Sequence, residues 1–155
     1  MIFRLIAVGN KMPDWIERGY LEYAKRLAGG YQLTLLEISP EKRTKQADIP
    51  RIINKEGDKM LAALQHGSVV VALDVKGQSW STETLAKHMQ IWHSENRTVD
   101  ILVGGPDGLS AACLQKAQIK LSLSALTLPH PLVRVIIAEQ LYRGWSILQN
   151  HPYHR

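Results

Sequence analysis

The chain has 155 residues and carries 19 Lys+Arg against 14 Asp+Glu, a net charge of +5 at pH 7. That length suits one domain over residues 1–155, and 45% hydrophobic with 21% charged residues excludes wholesale disorder. A single cysteine, Cys113, excludes an internal disulfide framework or a Cys-cluster metal site, and no apolar run approaches the ~20 residues of a membrane span.

In chain order, Ile2 to Val8 is an apolar run interrupted by Arg4 and closed by Gly9-Asn10, the pattern of a strand. Pro13-Asp14 open a helix to about Leu27, stopped by Gly29-Gly30. Tyr31 to Ile38 is a second strand, and the polar, basic stretch Ser39 to Asp48 is a loop. Ile49 to about Gln65 is a helix with Ile52, Ile53, Met60, Leu61 and Leu64 facing inward. Val69 to Leu73 is a short all-apolar strand, of the kind covered on both faces. Asp74 to Ser79 is expected as a loop, and Ser81 caps a helix to about His93, with Thr84 at the capping-box position.

Val99 to Val103 is a buried strand, apolar except for Asp100, and Gly104-Gly105-Pro106-Asp107-Gly108 breaks it. Ser110 caps a short helix to about Ala117, Ile119 to Leu123 is the last strand, and Ser124 to His130 is a loop. Pro131 opens a helix to about Leu148, and Gln149 to Arg155 is a tail. Strands alternating with helices predict a parallel α/β sheet of about five strands, with ligands at its carboxyl ends. The loops after Leu73, Val103 and Leu123 are where chemistry is expected.

Several common motifs are missing. There is no G-x-G-x-x-G, P-loop, G-x-S-x-G or H-E-x-x-H, and His88 and His93 are five apart, so no metal site is expected. Cys113 reads as a buried thiol. The N-terminus lacks a signal-peptide pattern, which predicts a soluble, cytoplasmic protein. A pI near 9.4 favours a polyanionic partner.

Four constellations remain. The glycine loop Gly104–Gly108 is either a tight turn or a place where backbone approaches a ligand. The segment from Leu121 to Pro131 is largely apolar and small although its second half is a loop, and so is either a buried turn or a place for a partner chain or a flat ligand such as adenine. The last helix has almost no polar face and is either a central core helix or a homodimer interface; Glu139 and Arg143 on it form an i,i+4 pair. The tail, Asn150-His151-Pro152-Tyr153-His154-Arg155, is either a frayed end or a set of groups able to stack on a base, take a proton and hold phosphate.

Lys11-Met12-Pro13-Asp14-Trp15, Asp58-Lys59-Met60-Leu61, the run from Gly104 to Ser110, the run from Leu123 to His130 and the tail from Asn150 to Arg155 closely resemble the bacterial ribosomal RNA large subunit methyltransferase H family. The resemblance covers the whole chain. It implies a SPOUT-type parallel sheet with helices on both faces and a C-terminal deep trefoil knot. It also implies a homodimer, S-adenosyl-L-methionine as methyl donor, and methylation of N3 of a pseudouridine in large-subunit rRNA of assembled ribosomes.

On that reading Leu73, Gly104, Gly105 and Leu123 to Leu128 (Leu123, Ser124, Ala125, Leu126, Thr127, Leu128) hold the cofactor. His154 is the first choice for accepting the N3 proton and His130 the second. Tyr153 stacks on the base, Arg134, Arg143 and Arg155 hold phosphate or base carbonyls, and one chain's tail meets the other's cofactor. Lys42 and Arg43 are expected to dock RNA from their polar loop. A non-catalytic RNA- or ribosome-binding protein is the alternative from another class.

Overall fold

The computed structural model describes residues 1–155. Strands β1 (Ile2–Val8), β2 (Gln32–Ile38), β3 (Val69–Ser79), β4 (Val99–Val103) and β5 (Ile119–Ser122) form one sheet in the order β2-β1-β4-β3-β5. Every neighbouring pair is parallel. Parallel neighbours need crossovers. These contain α1 (Asp14–Ala24), α2 (Ile49–Ala62), α3 (Thr82–Ser94) and α4 (Ala111–Lys116), and α5 (His130–Leu148) follows the last strand.

Side chains alternate across the strands, so both faces carry a core. Phe3, Leu5 and Ala7 of β1 meet Tyr20 of α1, Leu85 and Met89 of α3, and Ile137 and Leu141 of α5. Ile6 and Val8 point the other way, to Met60 of α2 and Cys113 of α4. Helix α5 lies between α1 and α3, which explains its lack of a polar face inside a single chain. Leu132, Val135 and Ile136 stay half-buried along it.

The charged residues that interrupt β1 and β4 answer each other. Arg4 and Asp100 are opposite in register on β1 and β4, with Nη1 3.1 Å from Oδ1. Asp100, fully buried, also accepts from Ser68 Oγ at 2.7 Å and the Gln65 N–H at 2.8 Å.

Two expectations need correction. Helices α1 and α2 stop at Ala24 and Ala62, short of Leu27 and Gln65. The segment after Leu73 is not wholly a loop: the chain leaves β5 there and re-pairs with it, Gln78 opposite Leu121 and Ser79 opposite Ser122. Gly77 permits this, because a Cβ on it would lie 2.6 Å from the Lys120 carbonyl carbon and oxygen. The tail is not frayed. Asn150 adopts φ +56, and Pro152–His154 form a 3-10 turn packed against α5. The Ser81 cap is as expected, with Oγ accepting from the Thr84 N–H at 3.1 Å.

Parallel strands put all their carboxyl ends at one edge of the sheet. The loops after β1 and β2 therefore share that edge with the three singled out in the sequence.

Candidate active site

A cavity of about 400 Å³ opens at this edge, between the stretch of β3 that leaves β5 after Leu73, the loops after β4 and β5 and the first turn of α5. Of the residues expected to hold a cofactor, Leu73, Gly104, Gly105, Leu123, Ser124, Leu126, Thr127 and Leu128 line it; Ala125 does not. Asp107 and His130 line it too.

The glycine loop is a closed turn. The Gly108 N–H donates to the Gly105 carbonyl at 3.1 Å, Gly108 has φ +84, and a Cβ on Gly104 would sit 2.5 Å from the Gly108 carbonyl carbon. Gly105 is small for a different reason. A Cβ there would meet Val8 Cγ1 at 3.1 Å, with Arg43 Nη2 at 3.5 Å and Glu56 Oε1 at 3.6 Å, so its missing side chain faces the protein and not the cavity.

The apolar loop folds on its own hydroxyls. Ser122 Oγ donates to the Ser124 carbonyl at 3.0 Å, and the Leu126 N–H donates to Ser124 Oγ at 2.9 Å. Residues 123–128 make no backbone–backbone hydrogen bond, and Leu126 is 75% exposed. Apart from these two bonds, the backbone groups of residues 123–128 have no hydrogen-bond partner in the chain, and the loop shares the cavity wall with the glycine turn.

His130 sits at the start of α5 with its Nδ1 buried and without a partner. Burial holds its pKa below the usual imidazole value, and the Arg134 and Arg43 cations push it the same way. It is therefore neutral at pH 7 and free to accept a proton.

Arg134 is itself only 2% exposed, giving Nη1 to Glu37 Oε2 at 2.8 Å and Nη2 to the Gly9 carbonyl at 2.9 Å. It braces α5 against the loop after β1, which corrects its expected role at phosphate. Arg43 is likewise no open docking cation. Its Nη1 and Nη2 each donate to Glu56 at 2.9 Å and its Nε to Asp107 at 2.9 Å. Lys42 beside it is exposed.

The tail residues lie elsewhere. The Tyr153 hydroxyl donates to Glu139 Oε1 at 2.9 Å, and its ring lies 4.5 Å from that of Tyr142. Arg143 holds Glu139 at 2.7 Å and stands over the Tyr153 ring at 4.9 Å. Burial and the Glu139 carboxylate keep the Tyr153 phenol protonated by raising its pKa. His154 Nδ1 is buried without a partner. None of Tyr153, His154, Arg155 and Arg143 lines the cavity. Glu139 is nine residues along α5 from His130, about 14 Å at the helical rise.

Sequence reasoning missed Arg43 as a structural clamp, its partner Glu56, and Gly9 beside His130. The signal available was a lone Glu56 on the inward face of an amphipathic helix. No group of three or more His, Cys, Asp or Glu residues is placed to hold a metal.

Fold and cavity define an open α/β protein with a cavity of small-molecule size at the carboxyl edge of a parallel sheet. A model of the family described as predicted SPOUT methyltransferase matches residues 1–154, and the chain belongs to that family. It is 54% identical over 155 residues, the whole of both chains, to Ribosomal RNA large subunit methyltransferase H of Marinomonas sp. (strain MWYL1). It also resembles in fold a probable methylase family protein from Haemophilus influenzae Rd KW20. The TM-score is 0.61 at 14% identity, over 99% of this chain and 70% of that one.

SPOUT methyltransferases use S-adenosylmethionine as methyl donor. The residues here fit it. The cavity has the volume of a small-ligand site, about 300–1,000 Å³, and offers unpaired backbone groups, an apolar wall and a tight glycine turn. No helix is long and apolar enough to cross a membrane.

Proposed function

We propose that this protein methylates N3 of a pseudouridine in large-subunit ribosomal RNA, on assembled ribosomes in the cytoplasm, as a homodimer with a C-terminal trefoil knot. The observation that carries the reading is the cavity itself. A glycine turn and an apolar loop, suited to S-adenosylmethionine, open beside a neutral, half-buried histidine. The full-length relative at 54% identity supports rRNA as the acceptor.

When bound there, S-adenosylmethionine supplies an electrophilic methyl on sulfur. The chain's residues do the rest. The backbone of Leu123 to Leu128, with the Leu126 and Leu128 side chains, would hold the adenine end, and Leu73, Gly104 and Gly105 would hold the rest of the ligand. Fixing donor and acceptor in line supplies much of the rate, since orientation is worth roughly 7–11 kcal/mol. N3 loses its proton as it gains the methyl. His130, which borders the cavity, would take it within this chain, and His154, the first choice from the sequence, would take it from a second copy.

The tail supports the dimer. Tyr153, His154, Arg155 and Arg143 are ordered on α5 yet stand apart from their own cavity, so they reach a cofactor only in a second copy. Trp15 and Leu21 of α1, 58% and 55% exposed, and the half-buried Leu132 and Ile136 of α5 give that copy apolar surface to cover. Calorimetry tests the cofactor claim: saturable binding of S-adenosylmethionine, with none of ATP, is expected. Absence of both would turn the reading to a non-catalytic binder.

A further inference from the structure

We propose that Arg43 is a positioning residue for the cofactor, holding the glycine loop in its binding shape from outside the cavity. This rests on the assignment of the cavity to S-adenosylmethionine.

Arg43 joins three elements. Its Nη1 and Nη2 fork onto the two oxygens of Glu56 on α2, both at 2.9 Å. The same Nη1 reaches the Glu41 carbonyl at 3.2 Å, and Glu41's N–H donates to Glu56 Oε2 at 3.0 Å. Its Nε donates to Asp107 Oδ2 at 2.9 Å, at the tip of the glycine turn. A planar guanidinium with donors on three sides can do this; an ammonium cannot.

Glu56 is 2% exposed and cannot follow a moving surface loop. The fork onto it fixes the Arg43 plane, and the fixed plane then sets where Asp107 sits. Asp107 belongs to the wall of the cavity, whereas Arg43 does not. The backbone at Gly105 lies directly against the Arg43–Glu56 pair, which would be in ordinary contact with a Cβ there, at 3.5 and 3.6 Å. The glycine turn thus has two supports: its own Gly105–Gly108 bond, and the tie to α2 through Arg43. The second support is supplied by the loop after β2, whose Lys42 and Lys45 are exposed.

The test measures S-adenosylmethionine affinity of the full-length protein by calorimetry, with KM and kcat on ribosomes. Asp107→Ala removes the tie while the Arg43–Glu56 pair stays, so it folds. Arg43→Lys keeps a cation on Glu56 but cannot also reach Asp107. Each variant is expected to weaken S-adenosylmethionine binding about tenfold and to raise its KM with kcat little changed. The double variant is expected to be no worse than the weaker single, because both break one tie.

Normal affinity of Arg43→Lys overturns the inference, even if Asp107→Ala is weak, since Asp107 then acts by touching the ligand. Multiplying effects in the double variant overturn it as well. Failure of the underlying assignment looks different. On adding S-adenosylmethionine to the wild-type protein, the amide resonances of residues 104–108 and 123–128 would not move.

Discussion

Replacing Arg43 with alanine removes the sole cation bonded to a carboxylate that is 2% exposed. Breaking a buried pair from one side costs about 3–5 kcal/mol, because the partner charge stays behind without compensation. Arg43 itself is 22% exposed at its side chain, which places the cost at the lower end, about 3 kcal/mol. For a chain of this size each kcal/mol shifts Tm by about 2–4 °C, so the variant should melt roughly 6–12 °C early. Lys42→Ala, one residue away and exposed, should stay within about 0.5 kcal/mol. Removing the stranded charge should return much of the loss, so Arg43→Ala with Glu56→Leu is expected to be more stable than Arg43→Ala alone. Urea melts of the four proteins at one concentration measure this. If Arg43→Ala unfolds within 1 kcal/mol of the unaltered protein, or if the double variant is the less stable, the buried-pair reasoning fails.

His130→Ala should lower kcat by about 10²–10⁴ with cofactor affinity kept. In the unaltered protein the depressed His130 pKa keeps the imidazole neutral at pH 7, so kcat should hold on acidification until below the ordinary midpoint of about 6.5. A pH–rate profile on ribosomes reads both, and full activity of His130→Ala moves the proton to His154. Deleting Tyr153 to Arg155 should abolish methyl transfer and leave S-adenosylmethionine affinity intact. Losing the Tyr153 contacts to Glu139 and Tyr142 should also cost about 1–3 kcal/mol, and a fully active truncated protein would count against the tail. Gly77→Ala should cost about 1–3 kcal/mol by forcing β3 off the Lys120 backbone, as chemical denaturation would show; an unchanged midpoint would mean that the close approach is dispensable.

Continuous apolar runs and helix caps made the α/β alternation legible, because those signals are local. The loops that line the cavity were legible for the same reason, since glycines after a buried strand and an apolar loop after the next are anomalies visible in a line of letters. What stayed hidden depends on partners far along the chain. The return of β3 to β5 needs Gly77 to face Lys120. The tail looked free because its anchors, Glu139 and Tyr142, lie on a helix whose orientation the sequence does not state. Arg43 in a polar loop looks like a surface cation until Glu56 and Asp107 are brought to it from two other elements. Arg134 looked like a phosphate ligand for the same reason, and it is instead the brace between α5, Glu37 and Gly9.

The central claim is methyl transfer to one base of ribosomal RNA. The most direct measurement takes ribosomes from cells lacking this protein and incubates them with the purified protein and methyl-labelled S-adenosylmethionine. The large-subunit RNA is then mapped by mass. The account predicts one added methyl, on N3 of a single pseudouridine, absent before the incubation. Label that fails to enter the RNA, or that enters it at carbon, ribose or many sites, would contradict it.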